Sequence, residues 1–160
     1  MSTEQLANLN FCTTKAGLGV GTTSTLTTAN ASLYSIGGRA YAKAATADMA
    51  TPTVDEETGL AFPAIQPGFA AAIVVGFDNA GALQAVQGPQ VALSAAGALV
   101  SPPAFPQVPD DMAAVGYVIV AVTAAGAAWT MGVSNFAGPP ADTTFTFDDV
   151  MVLPSRPQLS

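Results

Sequence analysis

Ser32 to Lys43, SLYSIGGRAYAK, is the stretch that decides the fold. Leu33, Tyr34 and Ile36 precede Gly37-Gly38, and Arg39, Ala40, Tyr41 and Lys43 follow. Two short extended runs divided by Gly-Gly read as a β-hairpin with a two-residue turn, because glycine has no Cβ to obstruct the positive φ such turns require. Period-two alternation puts Tyr34 and Ile36 on one face, and Tyr41 and Lys43 together on one face of the return strand. The hairpin alone leaves open which face is buried.

The composition around it is unusual. The 160 residues suffice for one domain that buries roughly 70% of its unfolded surface. Half are apolar, many of them alanine, and only 9% are charged, against about 25% in an ordinary soluble domain. Either the surface is made of Thr, Ser and Gln, or much of it faces other protein. The net charge is −7, with no histidine and four cations: Lys15, Arg39, Lys43 and Arg156. That balance opposes binding to a nucleic-acid backbone or an anionic membrane. Cys12 is the only cysteine, which excludes an intrachain disulfide and a cysteine zinc cluster. The opening MSTEQLANLN lacks the basic residues and apolar run of a secretory leader. The uncharged run Met112–Ala141 has the length of a membrane span. Gly116, Gly126, Gly132 and Gly138, its β-branched or small side chains and its lack of flanking Lys or Arg argue against one.

In chain order, Ser2–Leu9 has the pattern of a short capped helix, with Gln5 three residues after Ser2 and Leu6 and Leu9 on one face. Phe11–Gly21 is rich in glycine and reads as an arm. Val20–Thr28 is threonine-rich and reads as a strand beside the Gly-Gly hairpin. Ala44–Pro67, with four acids and three prolines, reads as a long surface loop with an extended piece near Leu60–Ile65. Phe69–Phe77, FAAAIVVGF, is the most apolar run and a central strand. Asp78–Gly81 turns it into a return strand ending before Pro89. Val91–Val100 is ambiguous between strand and loop, with a turn at Ala95-Ala96-Gly97. Pro102, Pro103, Pro106 and Pro109 stiffen the next segment, with Phe105 as an anchor, and Pro109-Asp110-Asp111 has the pattern of a single helical turn. Ala114–Thr123 is a second strong strand with both faces covered. Trp129–Phe136 reads as a weaker return strand. Thr143–Val150 alternates as a half-buried strand, and Leu153–Pro157 as an extended arm. These elements predict an all-β protein: a single antiparallel β-sandwich or jelly-roll domain over 22–152, with arms at 1–21 and 153–160.

No catalytic constellation stands out. Without histidine there is no Ser-His-Asp or Cys-His arrangement. The acidic runs Asp55-Glu56-Glu57, Asp110-Asp111 and Asp148-Asp149 lack the alternate oxygen spacing of a calcium loop. As a carboxylate pair they would have to meet in space. Gly17–Gly21 lacks the spacing of a phosphate loop. Trp129 and Tyr117 are aromatic candidates for stacking on a sugar, although isolated aromatics on strands more often fill cores. No catalytic residue, cofactor or metal site is expected.

Several segments together resemble small structural proteins of tailed bacteriophages. They are Tyr34–Lys43, Thr51-Pro-Thr-Val-Asp55, Phe77-Asp-Asn-Ala-Gly81, Gln87-Gly-Pro89, Phe105-Pro-Gln-Val-Pro-Asp110 and Leu153-Pro-Ser-Arg-Pro157. The resemblance implies a capsid decoration, or cement, protein made in the bacterial host cytoplasm and carried on the outer surface of the virion. It implies two partners, the major capsid protein and further copies of the chain, as trimers before dimers, and transfers no catalytic residue. Low charge fits such a role, because it lowers the desolvation cost of pressing against neighbours. Arms add contacts, so Met1–Gly21 or Leu153–Ser160 is expected to order on the shell. Leu6, Leu9, Phe11, Phe105 and Arg156 are the candidate interface residues. A tail or fibre protein would use the same β chemistry. A sugar-binding module or glycosidase would instead need a cleft with two carboxylates and exposed aromatics.

Overall fold

A computed structural model describes residues 10–154 and residue 157. The described chain is all-β, with no helix long and apolar enough to cross a membrane. Its strands, in order, are β1 (Phe11–Cys12), β2 (Leu18–Val20), β3 (Thr25–Thr28), β4 (Ser32–Ile36), β5 (Arg39–Lys43) and β6 (Thr46–Ala50). There follow β7 (Phe69–Phe77), β8 (Leu83–Gln87), β9 (Val91–Ala92), β10 (Ala113–Val122) and β11 (Thr143–Asp149). They form three antiparallel sheets: a five-stranded central one ordered β11-β10-β7-β8, with β9 also on β7, and two small ones, β1-β4-β5 and β2-β3-β6. The result is a sandwich-like single domain.

The two apolar runs form the centre. β7 pairs with β10 from Phe69↔Val122 to Phe77↔Ala113, with a bulge between Ala114 and Gly116. The alternation of these strands creates two buried faces. Ala71, Ile73 and Val75 share one face with Val118, Val120 and Val122. Leu18 and Leu26 of the β2-β3-β6 sheet cover it, with Phe62 and Ile65 from the following loop and Trp129, Met131 and Phe136. Val74, Tyr117 and Ile119 line the opposite face, under Leu99, Phe105, Val108 and Leu153. Proline lacks the N–H that would extend a ladder. The segment from Pro102 to Pro109 therefore crosses this face as a strap of side chains, with Phe105 edge-on to Tyr117 at 4.9 Å. Alanine and glycine in β7 let neighbours come close: a Cβ at Gly76 would run into the backbone carbonyl of Ala113.

The Gly-Gly hairpin forms as read. Gly37 and Gly38 have φ of 55° and 77°, and Tyr34 lies opposite Tyr41. The buried face is now fixed: Tyr34 packs with Tyr41, Phe77 and Cys12 against the end of the central sheet.

Five expectations are corrected. Residues 11–20 are not an arm: β1 and β2 lie inside the fold, with Cys12, Ala16 and Leu18 buried. The strand beside the hairpin is β1, whereas β3 pairs with β2 and β6. Ala29–Ala31 carries the chain between sheets, pinned by Ala29 N–H to Gly17 O and Asn30 N–H to Ala16 O at 3.0 and 2.9 Å. The surface loop starts only after β6, and Phe62 and Ile65 within it are core. Pro109–Asp111 forms a turn closed by Met112 N–H to Pro109 O, not a helix. Trp129–Phe136 is no strand: β7 and β11 already occupy both edges of β10. Trp129 bridges to Ile65 and the rest turns back, with Ser134 N–H donating to Thr130 O at 2.8 Å. The expected helix at Ser2–Leu9 lies outside the described residues.

Candidate interaction surface

Three of the sequence-flagged acids, Asp55, Asp148 and Asp149, are spent on the backbone or on a tyrosine. Asp55, 3% exposed, accepts from Glu57 N–H and Thr58 N–H through Oδ1 at 3.0 and 3.2 Å. Its Oδ2 accepts from Gln87 N–H on β8 at 2.8 Å. Asp148 and Asp149 alternate to opposite faces of β11: Tyr117 Oη donates to Asp148 at 2.9 Å, and Leu18 N–H to Asp149 at 2.8 Å. Neighbours pointed apart in this way do not form a facing carboxylate pair. Asp48, at φ 53°, accepts from Thr22 N–H at 2.6 Å and Thr25 Oγ1 at 2.9 Å. The Thr22 backbone bond, and then those of the Thr25 and Thr22 side chains, hold its carboxyl below the usual range. Trp129 and Tyr117 are both 0% exposed, so neither offers a platform to a sugar. Among the described residues no three His, Cys, Asp or Glu side chains gather as metal ligands.

What the fold does expose is apolar sheet. Cys12, Tyr34 and Tyr41 face inward in the β1-β4-β5 sheet. Register therefore puts Phe11, Leu33, Ser35, Ala40 and Ala42 on its outer face, where Leu33, Ala40 and Ala42 are exposed, Phe11 is half-buried and Ser35 is buried. That face holds no charged residue and carries a shallow groove of about 370 Å³ bordered by Phe11, Thr13, Leu33, Ser35, Ala40 and Tyr41. Leu33 is 49% exposed. Cys12 N–H donates to Met151 O at 2.8 Å, so exposed Met151 and Val152 run beside β1. Asn10 fastens one end of the sheet. Its Oδ1 accepts from Gly37 N–H at 3.0 Å, and its Nδ2 donates to Asp110 O and Met112 O at 2.7 and 3.0 Å.

A second exposed apolar patch is built from loops. Val54 bridges to Ala61, which brings Leu60 into the same turn. A Cβ at Gly132 would meet the backbone of Pro52 and Thr53, which places the exposed Val133, next in the chain, near the start of the same loop. Val54, Leu60 and Val133 are 44%, 69% and 73% exposed.

Of the candidate interface residues, Phe11 is half-buried at the groove and Phe105 is half-buried in the strap over Tyr117. Leu6, Leu9 and Arg156 lie outside the described residues. Sequence reasoning missed Leu33 and the loop patch. The available signal for Leu33 was its parity: once Tyr34 is taken as buried, Leu33 must face outward. No protein-family model matches the chain, and neither a curated protein nor a solved structure matches it.

Proposed function

We propose that this is a structural virion protein, one that decorates a bacteriophage capsid and stabilises it by bridging neighbouring major capsid subunits. The observation that carries the reading is the presence of two separate apolar surfaces on a chain with 9% charged residues. One is the outer face of β1-β4-β5; the other is the loop patch of Val54, Leu60 and Val133. Contiguous exposed apolar surface on a small domain marks protein contact, and a bridging protein needs more than one such face. The resemblance of its turn segments to phage decoration proteins supports the same reading. The loop patch is the surface assigned to the shell.

The test mixes the purified protein with capsids that lack it and follows cosedimentation. Saturable binding at a fixed ratio to the major capsid subunit is expected. Leu60→Glu with Val133→Glu, two exposed positions, lowers occupancy about tenfold or more without altering the β-sheet circular dichroism. Failure of the wild-type protein to bind saturably overturns the proposal.

A further inference from the structure

The two edges of the central sheet are finished differently. On β8 the outward backbone groups are taken: Gln87 N–H donates to Asp55 Oδ2 at 2.8 Å, and Ala85 O accepts from Glu56 N–H at 3.1 Å. On β11 they are open. Bonds from Thr123 N–H to Asp142 O and from Val150 N–H to Val115 O flank the β10-β11 ladder. Bonded and non-bonded pairs alternate along an antiparallel ladder, so Thr144, Thr146 and Asp148 turn their N–H and C=O toward β10. Phe145 and Phe147 turn theirs away, and among the described residues nothing bonds them. Other strand edges carry features that discourage pairing. Met151 O takes Cys12 N–H beside β1, β5 carries Arg39 and Lys43, and β6 bulges at Asp48, with φ 53°. β11 has no proline and no lysine, and it pairs with β10 over all 7 residues without a shift of register.

We propose that the open edge of β11 pairs with β11 of a second copy, antiparallel about a two-fold axis through Thr146, so that two central sheets become one. An open strand edge is recognised by another strand, because its donors and acceptors repeat at strand spacing. A two-fold contact is isologous, so the edge must complement itself. Centred on Thr146, β11 does so. Phe145 of each copy lies opposite Phe147 of the other, and the outward groups of both residues meet in about four new main-chain bonds. The two rings are half-buried, packed on Phe136 at 5.0 and 6.0 Å, and the other copy's rings extend that cluster across the axis. The same centring sets Thr144 against Asp148 and Thr143 against Asp149, so no carboxylate opposes another. Any other centre shortens the overlap. A two-fold pair closes at two copies, and it replaces the trimer that the phage resemblance implies. The contact uses a sheet edge rather than either apolar patch and is measured on the isolated protein, so its failure and that of the proposed function are distinguishable.

Sedimentation velocity from about 1 to 200 μM tests it. The wild-type mass should rise from 16.0 kDa toward about 32 kDa, twice the chain mass. Thr146 is exposed, so Thr146→Lys and Thr146→Glu should each leave the β-sheet circular dichroism unchanged. Each sets like charges against one another on the axis and should weaken pairing about tenfold or more. Mixed one to one, the two variants should recover the species of about 32 kDa, because opposite charges then meet on the axis. Only a contact in which position 146 faces itself is rescued in this way; a head-to-tail strand contact is not. Thr146→Cys should cross-link under mild oxidation, since the non-bonded pair on the axis brings Cα atoms to about 4.5 Å, within disulfide reach. The wild-type chain, whose one cysteine is the buried Cys12, should not. A wild-type protein at 16.0 kDa throughout, a mass of three chains, pairing undisturbed by Thr146→Lys, or a mixture no heavier than either variant alone overturns the inference.

Discussion

Asp55 is the tie between the long loop and the central sheet, and its loss gives a calculable effect. Its carboxylate accepts three backbone N–H bonds, two inside its own turn and one from Gln87 on β8. In Asp55→Ala, water reaches the exposed Glu57 and Thr58 amides and replaces most of what they lose. The Gln87 amide sits in the sheet and loses a charge-assisted bond, worth about 1.5–3 kcal/mol. Loosening of the turn, which also holds Glu56 N–H to Ala85 O at 3.1 Å, brings the expected cost to about 2–4 kcal/mol. Asp55→Asn keeps one acceptor but turns an amide N–H₂ toward a peptide N–H, so it should cost nearly as much. With about 2.1 cal/mol/K per residue of unfolding entropy, a loss of 2 kcal/mol lowers Tm by about 6 °C for this chain. Trp129 is the single tryptophan and is fully buried, so its fluorescence reports unfolding directly. Urea titrations should show a lower midpoint with an unchanged slope. A loss below about 0.5 kcal/mol in both variants, in the range of ordinary surface substitutions, would refute the view that Asp55 anchors the loop.

Three further outcomes are expected. Trp129→Ala removes a side chain packed on Phe136 and Phe145 at 5.0 and 5.5 Å, and should cost about 3–5 kcal/mol by thermal unfolding. Gly76→Ala pushes a Cβ into the Ala113 carbonyl within the central pairing, so it should destabilise by more than about 2 kcal/mol, against near neutrality for Gly19→Ala, where a Cβ meets nothing within 4 Å. Tyr34 is held above its usual pKa first by burial and then by Asp78, Tyr41 and Cys12. The folded state therefore favours the neutral phenol: that stability is whole below about pH 10 and is lost as pH rises through the raised value. Tyr34→Phe should flatten the alkaline fall in stability, while costing about 1 kcal/mol at pH 7 for the bond to Asp78 O.

How much of this was legible depended on how local the cause was. The hairpin at Gly37-Gly38 could be read because positive φ at two successive residues selects glycine. β7 and β10 could be read because strands covered on both faces are continuously apolar, and β11 because one covered face leaves alternation. β1 and β2 escaped because two or three residues make no pattern; their pairing is set by partners 6 to 24 residues away. Trp129–Phe136 misled because its aromatics are a core plug. A return strand needs a free edge on β10, and edge occupancy is a property of the whole sheet. Ala44–Pro67 hid both β6 and the core residues Phe62 and Ile65 behind acids and prolines that mark only its exposed turns. The acids pointed toward chemistry, yet Asp55, Asp148 and Asp149 bind backbone or a tyrosine, since carboxylates near β-turns are as useful to peptide N–H groups as to ligands. The outer face of the small sheet became visible only when register assigned Leu33 and Ala40 to the side away from Tyr34.

The central proposal is that this sparsely charged β module holds a shell together by pressing against its neighbours. The most direct measurement is a cryo-electron reconstruction of capsids saturated with the protein, beside undecorated ones. The account predicts added density on the outer shell surface, spanning the boundary between adjacent major subunits, with the turn carrying Leu60 and Val133 directed at the shell. Decorated capsids that show no ordered outer density, or density confined to the tail, would contradict it.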